Sequence, residues 1–192
     1  MALIVNPRYT LSTTSRRLRS HRPPPTKRTS LNPASHPPMQ TEFLRDVSIL
    51  KDLSEGELDA MKDLWTLRVI PSHERIVAEG TLMQEFYVVA TGVVHVRRRS
   101  QDHEVLLARI GRGGFFGEIN LFDEATATAS VYAMDEVRLA VIPNSTFCAF
   151  MSSRPEIGYK IVVRLLNEVS RRLRQTNERL VHSMFWSTSH LG

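Results

Sequence analysis

The 192 residues include one cysteine, Cys148, which excludes an internal disulfide framework and fits a reducing compartment, so the cytoplasm is the expected location. A lone thiol in Phe-Cys-Ala-Phe reads as a small buried apolar group, and it cannot hold an iron–sulfur cluster. No apolar run approaches the ~20 residues of a membrane-spanning helix, so no span is expected. The histidines of the central chain, His73, His95 and His103, are isolated and make no metal-ligand spacing, so no metal is expected. Residues 1–40 contain no acidic side chain and no glycine. They do hold Arg8, Arg16, Arg17, Arg19, Arg22, Lys27 and Arg28 and seven of the ten prolines. The net charge of +5 therefore belongs to this tail, because the remainder carries 18 basic against 20 acidic residues. On charge grounds the rest of the chain is not a nucleic-acid binder.

A segment of this composition buries too little apolar surface to offset its ordering entropy, and residues 1–40 are expected to be a disordered tail. Three readings stand for it. Translation from Met39 is the favoured one, since Met39 opens the first patterned segment. A non-specific basic arm and an organelle transit peptide are the others. Residues 185–192 are expected to be a second disordered end.

From residue 41 the pattern is ordered. Phe43, Val47 and Leu50 recur at helical spacing, and Ser54-Glu-Gly-Glu57 is a capping box opening a helix with Leu58, Met61 and Leu64 on its apolar face. Seven short runs of strand type follow: 66–70, 75–78, 85–90, 93–99, 104–110, 130–134 and 137–142. Gly80, Gly92, Gly111 and Gly113 fall in the turns between them, and strands at this spacing predict a sandwich or barrel-like roll. Two helices close the chain. Asn144 or Ser145 can cap the first. Pro155 opens the second, predicted over 155–184 with a narrow stripe of Val162, Leu165, Val169, Leu173, Leu180 and Met184 and with Thr176 on the same line. Such a stripe is a dimerising seam, or else packs on the parent domain.

Residues 114–133 carry the most chemistry. Gly117 lets backbone approach a ligand, the amides of the following turn can cradle an anion, and Glu118 can accept a hydroxyl. Glu118 has no His, Ser or second carboxylate in a catalytic spacing, so no catalytic residue is expected. A capping role for Glu118 is the bland alternative.

The run Phe116-Gly-Glu118, with Ala78-Glu-Gly80, Thr91-Gly92, the Gly111–Gly114 turn and Val169–Leu180, resembles the cyclic nucleotide-binding domain of the CRP/FNR regulators and of cAMP-dependent kinase regulatory subunits. The resemblance covers residues 41–183 and implies an α+β fold. Its centre is an antiparallel β-roll (a jelly-roll-like double-stranded β-helix) flanked by N-terminal helices and a long C-terminal dimerisation helix. It also implies a non-catalytic regulatory module of a homodimer that binds cAMP or another cyclic nucleotide and signals to an effector protein not named by the sequence. The implied ligand-binding residues are Gly117, Glu118, Ile119, Asn120, Ala127, Thr128 and Ala129, with Thr176 and Asn177 toward the base. Ala127 departs from the pattern, which has there an arginine that pairs with the cyclic phosphate. A guanidinium–phosphate bond contributes roughly 1.5–3 kcal/mol, so its loss implies weak affinity or another ligand, such as a cyclic dinucleotide. Arg97 or Arg112 would have to swing into the pocket to replace it.

Two rival readings follow. One is a degenerate interaction module whose pocket is filled by its own side chains. The other is a subunit of a CRP/FNR-type transcription regulator that relies on a partner or on the basic tail for DNA contact. No recognition helix follows Leu180, so sequence-specific DNA binding by this chain alone is not expected.

Overall fold

The computed structural model of the chain describes residues 41–100, 103–123 and 125–188. The tail expected over 1–40 lies outside them.

Strands β3 (Glu85–Thr91) and β8 (Val137–Pro143) read as nearly unbroken apolar runs, whereas β1 (Thr66–Ile70) and β4 (Val94–Ser100) mix apolar with polar residues and β5 (His103–Ile110) is exposed over most of its length. The structure gives the reason. β3 and β8 are the central strands of a four-stranded antiparallel sheet ordered β1-β8-β3-β6, where β6 is the two-residue strand Phe115–Phe116. This sheet is covered on both faces. Phe86, Val88, Phe115, Ala140 and Ile142 face the helices, while Tyr87, Val89, Phe116, Leu139 and Val141 face the second sheet, ordered β2-β7-β4-β5. β2 is Arg75–Val77 and β7 is Ser130–Ala133. Alternate side chains of one strand thus feed two separate cores. Full burial of each large apolar side chain contributes about 1.5–3 kcal/mol.

The helical core is built by α1 (Thr41–Arg45), α2 (Glu55–Asp59), the 3-10 turn Lys62–Leu64, α3 (Asn144–Ser153) and the start of α4 (Pro155–Thr188). The capping box is formed: Ser54 Oγ accepts from the Glu57 amide at 3.4 Å, and Glu57 Oε2 accepts from the Ser54 amide at 2.7 Å. Glu57 also accepts from Lys160 Nζ at 2.8 and 2.9 Å, which ties α2 to α4 and holds the Glu57 carboxyl below its usual range. Trp65, Phe86 and Phe147 meet at ring separations of 5.3 to 6.4 Å.

Two expectations about helix ends are corrected. Neither Asn144 nor Ser145 caps α3: Asn144 is its first residue, and Pro143 stands at the cap position without a side-chain bond. The Asn144 amide instead donates to the Asn120 carbonyl at 2.8 Å, stitching the helix to the loop before it. The long helix continues to Thr188, past the expected end at 184, because no glycine or proline interrupts Val181–Thr188. Residues 189–192 lie outside the described residues.

The stripe on α4 is also shifted. Ile157, Ile161 and Leu165 are buried in the chain's own helical core, so Leu165 is not a seam residue. Gly158 makes the close approach possible, since a Cβ there would lie 2.7 Å from the Met151 carbonyl oxygen of α3. The line that faces away from that core is Tyr159, Val162, Leu166, Val169, Leu173, Thr176 and Leu180, in strict steps of three and four. Its apolar members are all exposed. The Met184 side chain lies outside the described residues. No helix among the described residues is long and apolar enough to cross a membrane.

Candidate functional site

β6 ends the first sheet by pairing with Tyr87 and Val88, and the chain then turns sharply at Gly117. Gly117 has φ +94°, and a Cβ there would lie 2.8 Å from both the Glu85 carbonyl oxygen and the Met83 methyl, so glycine is required twice over. The 3-10 turn Glu118–Asn120 follows. Its later amides are used locally, Asn120 N–H donating to Gly117 and Leu121 N–H to Glu118. Asn120 is buried, and its side-chain amide donates to the Ala125 carbonyl at 2.6 Å. It therefore folds the loop back on itself, and the part of Asn120 available to a ligand is backbone. Ala127 is buried and paired through its backbone with Gly80 and Thr81, both at 2.8 Å.

Between this loop, the inner face of the second sheet and α4 lies a cavity of about 660 Å³. Gly117, Glu118, Ile119, Asn120, Ala127, Thr128, Ala129 and Thr176 all line it. Asn177 does not: it lies one residue round the helix, exposed on another face. The Thr128 hydroxyl has no partner among the described residues, whereas Thr176 Oγ1 donates to the Arg172 carbonyl at 2.9 Å within its own helix. The apolar wall includes Val77, Met83, Val96, Ile110, Phe116 and Val131.

Among the described residues the Glu118 side chain is bonded to no amide of its own turn. Its carboxylate accepts from Arg172 of α4, with Nη1 2.9 Å from Oε1. Arg172 Nη2 donates to the Phe115 carbonyl at 3.0 Å and Nε to Glu168 at 3.2 Å. The guanidinium carbon stands 4.4 Å from the centre of the Phe115 ring. Glu168 also accepts from Arg171 at 2.6 and 2.9 Å, and these arginines hold its carboxyl below the usual range. One guanidinium thus bridges a loop carboxylate and a helix carboxylate, and this joins the roll to α4.

Sequence reasoning missed Arg172. The signal was present, since residues four apart on a helix share a face and Arg172 precedes Thr176 by four. The two arginines considered as substitutes for the missing one are engaged elsewhere. Arg97 pairs with Glu104 and stacks over Tyr132, and Arg112 pairs with Asp46 at 2.6 Å. Cys148 is half-buried, its thiol pushed up by burial and donating to the Leu121 carbonyl at 3.3 Å. His95 has a buried Nε2 without a partner; burial first, then Arg109 and Arg97, keep its pKa below the usual value. Among the described residues no cluster suited to a metal ion occurs.

Residues 67–154 match the family model of the cyclic nucleotide-binding domain. The chain is 33% identical over 145 residues to a CRP-like cAMP-activated global transcriptional regulator of Mycobacterium tuberculosis, covering 75% of this chain and 63% of that protein. It is 29% identical over 119 residues to the cAMP-dependent protein kinase regulatory subunit of Debaryomyces hansenii, covering 62% of this chain and 26% of that protein. The chain therefore spans less than two thirds of the length of either relative. Among solved structures, the N-terminal domain of a transcriptional regulator from Streptomyces coelicolor superposes with a TM-score of 0.58 at 29% identity, covering 72% of this chain and 94% of that one. Fold, loop and relatives agree: residues 67–154 match the cyclic nucleotide-binding domain, and the chain is similar to CRP-like regulators in sequence and in fold.

Proposed function

We infer that this domain is a non-catalytic sensor whose cavity takes a cyclic purine nucleotide, cAMP or a close relative, and whose output passes through α4 to an effector protein. The observation that carries the reading is the cavity, which stands open at about 660 Å³, within the size range of small-molecule sites. An interaction module with a self-filled pocket has no such space, so the open cavity favours the sensor. Glu118 is the acceptor for the ribose hydroxyl, and the backbone around Gly117 together with the free Thr128 hydroxyl faces the phosphate. Thr176 lies toward the base. The exposed three-four line on α4 supports pairing with a second copy, which would place two cavities beside one helical seam. Because Glu118 and α4 are joined through Arg172, a ligand that engages Glu118 acts on a group already tied to the helix.

The test is calorimetric titration of the chain with cAMP and cGMP beside a Glu118→Ala variant. Micromolar binding by the parent, weakened at least tenfold by Glu118→Ala, is the expected result. A parent that binds neither nucleotide overturns the nucleotide reading.

A further inference from the structure

With Ala127 in place of an arginine, residues 114–133 offer no cation to an anionic ligand. The cavity is nonetheless lined by more arginines than carboxylates, and their positions separate them. Arg112 is held at Asp46, and Arg179 Nη1 at the Leu107 carbonyl, 3.2 Å away. Arg171 is paired with Glu168. Arg109 pairs in register with His95, and its charge acts on that ring; strand alternation sets both side chains opposite to the inward Ile110 and Val94.

Arg172 is different. Its bonds to Glu118, Phe115 and Glu168 use three of the five N–H donors of a guanidinium. One N–H remains on each terminal nitrogen, and the Phe115 ring and three acceptors fix the plane. Its side chain is 29% exposed, so the fork is held but not sealed.

We propose that Arg172 of α4 holds the anionic group of the ligand and so takes the part that the loop has given up at Ala127. The proposal rests on the reading of the cavity as a cyclic nucleotide site and adds a chemical criterion for what fits. In a 3′,5′-cyclic nucleotide the 2′-hydroxyl adjoins the carbon that bears the 3′ phosphate oxygen. A carboxylate and a guanidinium already 2.9 Å apart match that pair, with the hydroxyl donating to Glu118 and the phosphate accepting from Arg172. A 5′-monophosphate, whose charge is carried away from the 2′-hydroxyl, fits the pair less well. The anion then bonds directly to the helix that carries the signal.

Arg172 also orients Glu118, so the experiment must separate the two roles. The full chain and an Arg172→Gln variant are titrated with cAMP and with 2′-deoxy-cAMP, which lacks the hydroxyl that Glu118 would take. If Arg172 holds the phosphate, the variant loses roughly ten- to a hundredfold in affinity for both ligands, and Ala127→Arg added to it restores most of the loss. Loss confined to cAMP means that Arg172 acts only through Glu118 and overturns the proposal, as does no loss at all. A parent that binds neither cAMP nor cGMP overturns the nucleotide reading and the proposal with it, so the two failures are distinguishable. Should Arg172→Gln not fold, Arg172→Lys, which keeps the charge but not the fork, carries the same comparison with a smaller expected loss.

Discussion

Gly117 is the residue on which the site turns. Alanine there would adopt a positive φ of +94° and press on the Glu85 carbonyl and the Met83 methyl. Gly117→Ala is expected to lower stability by about 1–3 kcal/mol and to weaken any ligand at Glu118. Urea unfolding checks this, and an unchanged midpoint would contradict it. Gly117 and Glu118 were legible in the sequence because both lie in one short contiguous run. Arg172 was not, since its meaning depends on a partner 54 residues away and on how α4 lies against the loop. The role of Asn120 was half legible. Its backbone lines the cavity as expected, but its side chain closes the loop, and only packing decides which way an amide in a turn points.

Among the elements, all seven runs read as strands are strands, with ends shifted by a residue or so, because their alternation and turn glycines act locally. The eighth strand, Phe115–Phe116, was absorbed into the ligand loop. Two residues carry no period of their own, and only their pairing with Tyr87 and Val88 makes them a strand. On α4 the error was a matter of phase: Leu165 and Leu166 are both leucines, a little over a quarter turn apart, and one is buried while the other is exposed. Leu165→Ala is expected to cost about 2–5 kcal/mol of domain stability, as the deletion of a buried leucine does. Leu166→Ala should stay within about 0.5 kcal/mol, provided that the comparison is made on monomer. Equal effects in denaturant titration would reject this assignment of the two faces.

For the whole molecule, the exposed line from Tyr159 to Leu180 is the surface through which two copies are proposed to meet. Leu166→Glu with Leu173→Glu places charge on that line and should yield monomer in sedimentation velocity, with the circular dichroism of the roll preserved. A parent that is monomeric at the same concentration would remove the seam from the account. The relatives could inform the domain but not this surface, since neither is covered over two thirds of its length. The central sheet has a further consequence. Phe115 and Phe116 are chain neighbours, yet one ring stacks on Phe86 among the helices and the other on Tyr87 between the sheets. Substitutions in the inter-sheet compartment reach the apolar wall of the cavity directly, whereas those in the helical core reach it through Phe115 and the Arg172 guanidinium stacked on its ring. For the sensor proposed above, affinity and output would then be open to largely separate evolutionary adjustment, with the peptide bond between two phenylalanines as their shared fulcrum.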